Sequence, residues 1–377
     1  GWRLAVGGWR LAVGGAGSGP YVCYCLGMIK RLYLVLGALL LQGCESLGYY
    51  LQSAHGHFAL LGRSEPIERL LEAPATDLGL KERLRRVQRI RSFASERLLL
   101  PDNGSYTRYA ALDTEAVVWS LVATPEFSMQ PRQWCYPVLG CASYRGYFEH
   151  AAAQEHAREL AVAGWDVAVE PVPAYSTLGW FDDPLPSTVI DWPEPLLAGL
   201  IFHELAHQRL YVKGDSAFNE AFASAVEQIG VTLWLGEQGE AAALEAWRRR
   251  QERERAFIAL LLEMRGRLEW LYAEPVGVEW MRARKAHLIQ RLRQRHDLLA
   301  SGWEGGRGFD HWFRREVNNA RLASVATYRQ WLPAFLRLYR EGDGMAAFLD
   351  AAEALSRLPM PARDARLRTL LTRPALP

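Results

Sequence analysis

The segment Leu200-Ile201-Phe202-His203-Glu204-Leu205-Ala206-His207-Gln208-Arg209-Leu210-Tyr211 holds the pattern with the most chemistry in the chain. Positions four apart on a helix lie one turn apart on one face, so His203 and His207 can offer two imidazole nitrogens to a single cation. Glu204 stands at the edge of that face, where its carboxylate can take a proton from a water beside the cation. The neighbouring residues are apolar, which predicts a buried helix and a low local dielectric. Taken alone, two histidines on a helix are more often a satisfied core pair than a metal site.

A zinc ion used in catalysis takes three protein ligands and keeps one position open, so the pattern needs a third ligand. Lys213-Gly214-Asp215 reads as a helix-stopping turn, with Asp215 or Ser216 as the N-cap of the next helix. Asn219-Glu220-Ala221-Phe222-Ala223 falls in the first turns of that helix. Two helices joined so closely pack on each other, which returns Glu220 to the histidine face. Glu220 is the expected third ligand; Glu227, seven residues on and nearly on the same face, is its competitor or an acceptor for a ligand histidine N–H. The joint pattern points to one zinc per chain and to metal-assisted hydrolysis with Glu204 as base and proton carrier. The oxyanion needs a further donor, for which Tyr144, Tyr147, Arg145 and Tyr328 are candidates.

The elements around this pair of helices follow from periodicity. Residues 78–100 read as an amphipathic helix ending at Pro101, and residues 105–124 as a hairpin turning at Asp113-Thr114. A helix should run to about Ala163, stopped by Gly164, with Trp165–Val172 alternating as a strand. The turn-rich text of Tyr175–Pro184 then suggests an edge, including Thr177 and Gly179, along which an extended peptide can lie. Everything beyond about residue 195 reads as helix: a long helical hairpin over about 237–300, broken near Pro275, then helices near 316–341 and 344–357. Asn318 and Asn319 open one of these and either hold a substrate terminus or cap it. The fold class expected is α+β and mainly helical, with a small β-sheet in the N-terminal half. The zinc-binding helix pair and the long hairpin fall in the C-terminal half.

The 377 residues are 50% hydrophobic and 23% charged, with a net charge of +2. That balance describes a globular chain and gives no basis for nucleic-acid binding. Residues 1–14 repeat one heptapeptide, and residues 1–27 read as a non-native extension upstream of Met28. From Met28 the text changes to Lys30-Arg31, an apolar run from Leu32 to Leu41, and Leu41-Gln42-Gly43-Cys44. The run is about half the ~20 residues of a spanning helix, so residues 28–43 read as a secretory signal, and the ending resembles a bacterial lipobox with Cys44 as the lipidated residue. Residues 44–377 are then a single domain, with a mixed α/β part to about 194 and a helical part beyond it. Its expected place is the bacterial envelope, facing the periplasm, on the outer membrane in preference to the inner. In that oxidising compartment Cys135 and Cys141 are the pair left for a disulfide.

The sequence resembles the bacterial lipoprotein family of predicted zinc aminopeptidases, within the gluzincin metallopeptidases. The resemblance rests on Trp134-Cys135-Tyr136-Pro137 with Gly140-Cys141; on Tyr144-Arg145-Gly146-Tyr147-Phe148; on Tyr175 to Pro184; on His203-Glu204 with His207; on Asn219 to Ala223; and on Asn318-Asn319-Ala320. It implies zinc on His203, His207 and Glu220, with Glu204 as base, and a peptide as substrate. Arg209 departs from the wider metallopeptidase pattern, which has an apolar residue there. An envelope endopeptidase and a non-catalytic lipoprotein braced by metal for partner binding are the alternatives, and no oligomeric state is implied.

Overall fold

The computed structural model describes residues 48–50, 52–136, 140–174, 176–304, 308–327 and 331–372. The leader, Cys44, Tyr175 and Tyr328 lie outside the described residues. Residues 48–50 are helical, and residues 52–377 make one unit by themselves.

The unit is α+β and mainly helical, as the periodicity predicts. It opens with α1 (52–62), β1 (Ser64–Pro66), α2 (Ile67–Glu72) and α3 (Leu78–Glu96). Asp77 caps α3 by accepting from the Leu80 amide at 2.9 Å, and Leu84, Val87, Ile90, Phe93 and Ala94 form its buried stripe. The strands β2 (Arg108–Ala110) and β3 (Val118–Pro125) do not pair with each other, so the expected hairpin over 105–124 does not form. β2 lies between β1, antiparallel, and β8 (Leu185–Pro186), parallel. β3 lies between β6 (Arg145–Tyr147) and β7 (Trp165–Val172), both antiparallel. Strand-forming text gives the strands, but their partners come from residues far along the chain. Between them, β4 (Trp134–Tyr136) and β5 (Gly140–Ala142) pair with Cys135 opposite Cys141, and a disulfide joins the two.

The helix α4 (His150–Val162) packs on β3 and β7. After β8 and the short α5 (Ser187–Ile190) come α6 (Glu194–Arg209) and α7 (Ser216–Glu237), which pack on each other extensively. Leu197, Ala198, Ile201, Phe202, Leu205 and Ala206 bury α6 on nearly every side. At the crossing, a Cβ on Gly230 of α7 would stand 2.7 Å from Phe202 Cδ2 and from Leu98 Cδ1, so only glycine allows this approach. Trp234 near the end of α7 donates its Nε1–H to Glu194 at the start of α6 at 3.0 Å, fixing the pair antiparallel. The long hairpin follows as α8 (Ala241–Ala273) and α9 (Val278–Ser301), then α10 (Asn319–Thr327). The remaining helices are α11 (Leu332–Glu341), α12 (Gly344–Ser356) and α13 (Met360–Thr372). The single helix expected over 316–341 is thus two, with Pro333 in the first turn of the second.

Candidate metal centre

The short connection from α6 to α7 sets the site. Asn219 in the first turn of α7 clamps it: its Oδ1 accepts from the Val212 amide at 2.8 Å and its Nδ2 donates to the Val212 carbonyl at 2.9 Å. Asp215 accepts from the Phe218 amide at 3.0 Å and caps α7, while its other oxygen pairs with Arg363 of α13 at 2.6 Å. Gly214, with φ +82°, makes the turn that the Lys213-Gly214-Asp215 text predicts. The residue after Asn219 is Glu220, and its direction is therefore fixed by a loop bonded on both sides.

Glu220 points back at the histidines. Its carboxylate oxygens lie 3.4 Å from His203 Nε2 and 3.7 Å from His207 Nε2, and the two Nε2 atoms are 3.2 Å apart. One ligand atom from each residue can be chosen so that all lie within 4.8 Å of one another. The edge of a tetrahedron with bonds of ~2.0–2.1 Å is about 3.3–3.4 Å, close to these separations. Two imidazoles and a carboxylate, with no thiolate, form the donor set of an open catalytic site rather than a closed structural one. The residues fit a divalent cation.

Glu227 takes the other role foreseen for it. Its Oε2 lies 3.2 Å from His203 Nδ1, so this ring nitrogen donates to the carboxylate and Nε2 is left facing His207 and Glu220. Gly199 makes room: a Cβ there would meet Glu227 Cγ at 3.1 Å. His207 Nδ1, also buried, has no hydrogen-bond partner among the described residues. Burial lowers the pKa of His203, but hydrogen bonds to Glu220 and Glu227 outweigh it and push the imidazole up to about 10. For Glu220 burial raises the pKa, and the two histidines outweigh that, holding the carboxyl down at about 2. The carboxylates thus make a place for positive charge between the rings, whether proton or metal. Glu204, one residue after His203, is pushed up by burial and by the charges of Glu220 and Asp183, against the pull of both histidines.

The other residues named from sequence sit on other elements. Arg145 and Tyr147 are buried on β6, with the guanidinium over the Tyr147 ring at 5.6 Å and the Tyr147 hydroxyl bonded to His156 of α4. Tyr144 precedes that strand and is half exposed. Asn318 and Asn319 are buried, and their amides donate to the Val167 carbonyl at 2.8 Å and the Glu126 carbonyl at 2.9 Å. Asn319 also accepts from the Tyr272 hydroxyl at 2.8 Å. Their polar atoms brace α10 against β7 and α8, and Asn318 Oδ1 accepts from the Arg321 amide at 3.2 Å, which is the capping role foreseen as the alternative. Thr177 and Gly179 belong to a tight turn, not to an extended edge; Gly179 has φ +81° and faces Gln208 of α6.

Three further residues interact with Glu204 or Glu220 without having been singled out from the sequence. Tyr211, just past α6, is half exposed, and its hydroxyl is pushed up first by partial burial and then by the charge of Glu220. Asp183 is buried, accepts from the Thr177 amide at 2.9 Å, and repels Glu204. Tyr106 has φ +64°, and its buried hydroxyl has no hydrogen-bond partner among the described residues. Burial raises the Tyr106 pKa, with Glu204 and Asp183 adding to it. The loop carrying Tyr106 is held by Arg91, which donates to the carbonyls of Ser105 and Asn103, and by Gln208, which donates to Ser105 Oγ at 3.1 Å.

Compared with known proteins, residues 48–367 match the family model described as "Putative aminopeptidase". No curated protein and no solved structure matches.

Proposed function

The chain belongs to this aminopeptidase family, and from that premise we propose that it is a zinc-dependent peptide hydrolase of the bacterial envelope, acting at the amino end of its substrates. The observation that carries the reading is the convergence of His203 Nε2, His207 Nε2 and the Glu220 carboxylate one residue from a partly buried carboxyl, Glu204. Zinc, when bound there, supplies a Lewis acid and brings the pKa of a water towards ~7.

The chain's own residues do the rest. Glu227 holds His203 in the tautomer with Nε2 free. Glu204 accepts the proton that the attacking water gives up and passes it to the leaving amine; burial, which raises its pKa, suits it to carry that proton. We assign the oxyanion to Tyr211 ahead of Tyr144, Arg145 and Tyr147, because it follows the ligand helix directly and lies within the field of Glu220, while Tyr328 lies outside the described residues. Anchoring at Cys44 by lipid belongs to the same reading and is supported by the lipobox-like text and by the disulfide of Cys135 and Cys141.

The test is a panel of free and N-blocked peptides with purified, zinc-loaded protein. Release of the first residue from free peptides alone is the expected result. Cleavage of blocked peptides at internal bonds makes the chain an endopeptidase, and no cleavage of either set rejects hydrolysis.

A further inference from the structure

Tyr106 carries two unfavourable features that a tyrosine placed only to fill a core does not need. Its backbone is left-handed, at φ +64°, a region that a bulky residue takes only where its surroundings hold it there. Its side chain is 1% exposed, and the hydroxyl at the end of the ring has no hydrogen-bond partner among the described residues. A hydroxyl buried unpaired is destabilising, and native structures keep such groups rare. The backbone around it is held from three sides. The Tyr106 amide donates to the Asp183 carbonyl at 2.7 Å, and Arg91 Nε donates to the Ser105 carbonyl at 3.0 Å. Gln208 of α6 accepts from Asn103 Nδ2 at 2.7 Å and donates to Ser105 Oγ at 3.1 Å.

The bond to Gln208 says which face of α6 this loop follows. Gln208 stands four residues after Glu204 in the same helix, so the two side chains share a face one turn apart. The Asn103–Tyr106 loop therefore runs along the face that carries Glu204, and the Tyr106 ring enters the buried cluster that holds Ile201, Phe202 and Leu205 of that helix. Of the charges that act on the hydroxyl, Glu204 comes first, ahead of Asp183 and Arg91. Glu204 has the complementary lack: its carboxyl makes no hydrogen bond or ion pair among the described residues, whereas the neighbouring His203 is held at Nδ1 by Glu227. A general base is ordinarily oriented by a further group. The other charged neighbours of the hydroxyl suit it less. Arg91 has no acceptor to offer, and Asp183 Oδ2 already accepts from the Thr177 amide at 2.9 Å and from Ser176 Oγ at 3.3 Å.

We propose that Tyr106 is a positioning residue for Glu204, its O–H donating to that carboxylate in the zinc-loaded protein so that the other carboxylate oxygen is turned to the water that gives up its proton. The inference rests on the peptidase reading and adds the group that orients its base.

Tyr106→Phe removes the hydroxyl and leaves the ring. With zinc-loaded protein and a free peptide that the wild type cleaves, kcat is expected to fall about 10–100-fold, the range of one hydrogen bond to a charged group, while KM and zinc content stay as they were. An unchanged kcat, or a change confined to KM, overturns the proposal. A second readout needs no turnover: the melting temperatures of zinc-loaded wild type, Tyr106→Phe, Glu204→Ala and the double variant. Tyr106→Phe is expected to lower the melting temperature when Glu204 is present, and to leave or raise it when residue 204 is alanine and the hydroxyl has no acceptor. An equal shift in both backgrounds gives the hydroxyl to the core or to Asp183 and overturns the proposal. If the wild type cleaves no peptide but the two substitutions are coupled in this way, the pairing of Tyr106 with Glu204 stands and the peptidase reading falls; without cleavage and without coupling, both fall.

Discussion

At the scale of single residues, the spacing of His203 and His207 announces two ligands, but it cannot separate Glu220 from Glu227, which are seven residues apart on one helix. Geometry separates them: Glu220 faces both Nε2 atoms, and Glu227 takes His203 Nδ1. Two substitutions should therefore fail differently. Glu204→Gln keeps every ligand and removes the proton acceptor, so it should hold zinc by elemental analysis while kcat falls by about 10²–10⁴. Full activity in that variant removes Glu204 from the reaction. Glu227→Gln leaves all three ligands but weakens the hold on His203, and should lower metal affinity about 10–100-fold in competition with a chelator. If zinc is lost altogether, Glu227 is itself a ligand. Tyr211 and Tyr106 were not legible, because their closeness to Glu220 and Glu204 comes from a loop outside the helical repeat and from a left-handed residue far back in the chain.

At the scale of elements, local text reads well where a helix or strand answers to its own periodicity, as α4, α6 and β7 do. It reads poorly where a partner is remote. β2 looked like half of a hairpin, yet it pairs with β1 and with β8, more than seventy residues on. The capping of α7 shows the same mixture. Asp215 as N-cap is plain in sequence, but its second oxygen pairs with Arg363, 148 residues away on α13, a helix the periodicity gives no bounds for. Both members of the pair are buried, so removing one leaves an uncompensated charge, at a cost of about 3–5 kcal/mol. Arg363→Ala should lower the denaturation midpoint accordingly. Because Asp215 ends the loop that Asn219 clamps and Glu220 follows, zinc affinity should fall with it. A loss of stability with zinc affinity intact would show that the loop holds Glu220 without help from α13.

For the whole molecule the question is where it works. Among the described residues no helix is long and apolar enough to cross a membrane, so attachment by a span within them has no support. The disulfide between Cys135 and Cys141 joins paired strands, a bond that is common in oxidising compartments and rare in reducing ones. Lipidation at Cys44 would unite the two observations, holding a domain with no apolar span at a membrane on the oxidising side. Acyl chains contribute ~0.8 kcal/mol per buried methylene and one chain alone holds only marginally, so an anchor at Cys44 needs more than one chain on that residue. Cys44→Ser should then move the protein from the membrane fraction to the soluble one, while zinc content and peptide cleavage per molecule stay as they were, since neither the triad nor Glu204 depends on the anchor. Retention of the variant in the membrane fraction would place the attachment on another part of the chain.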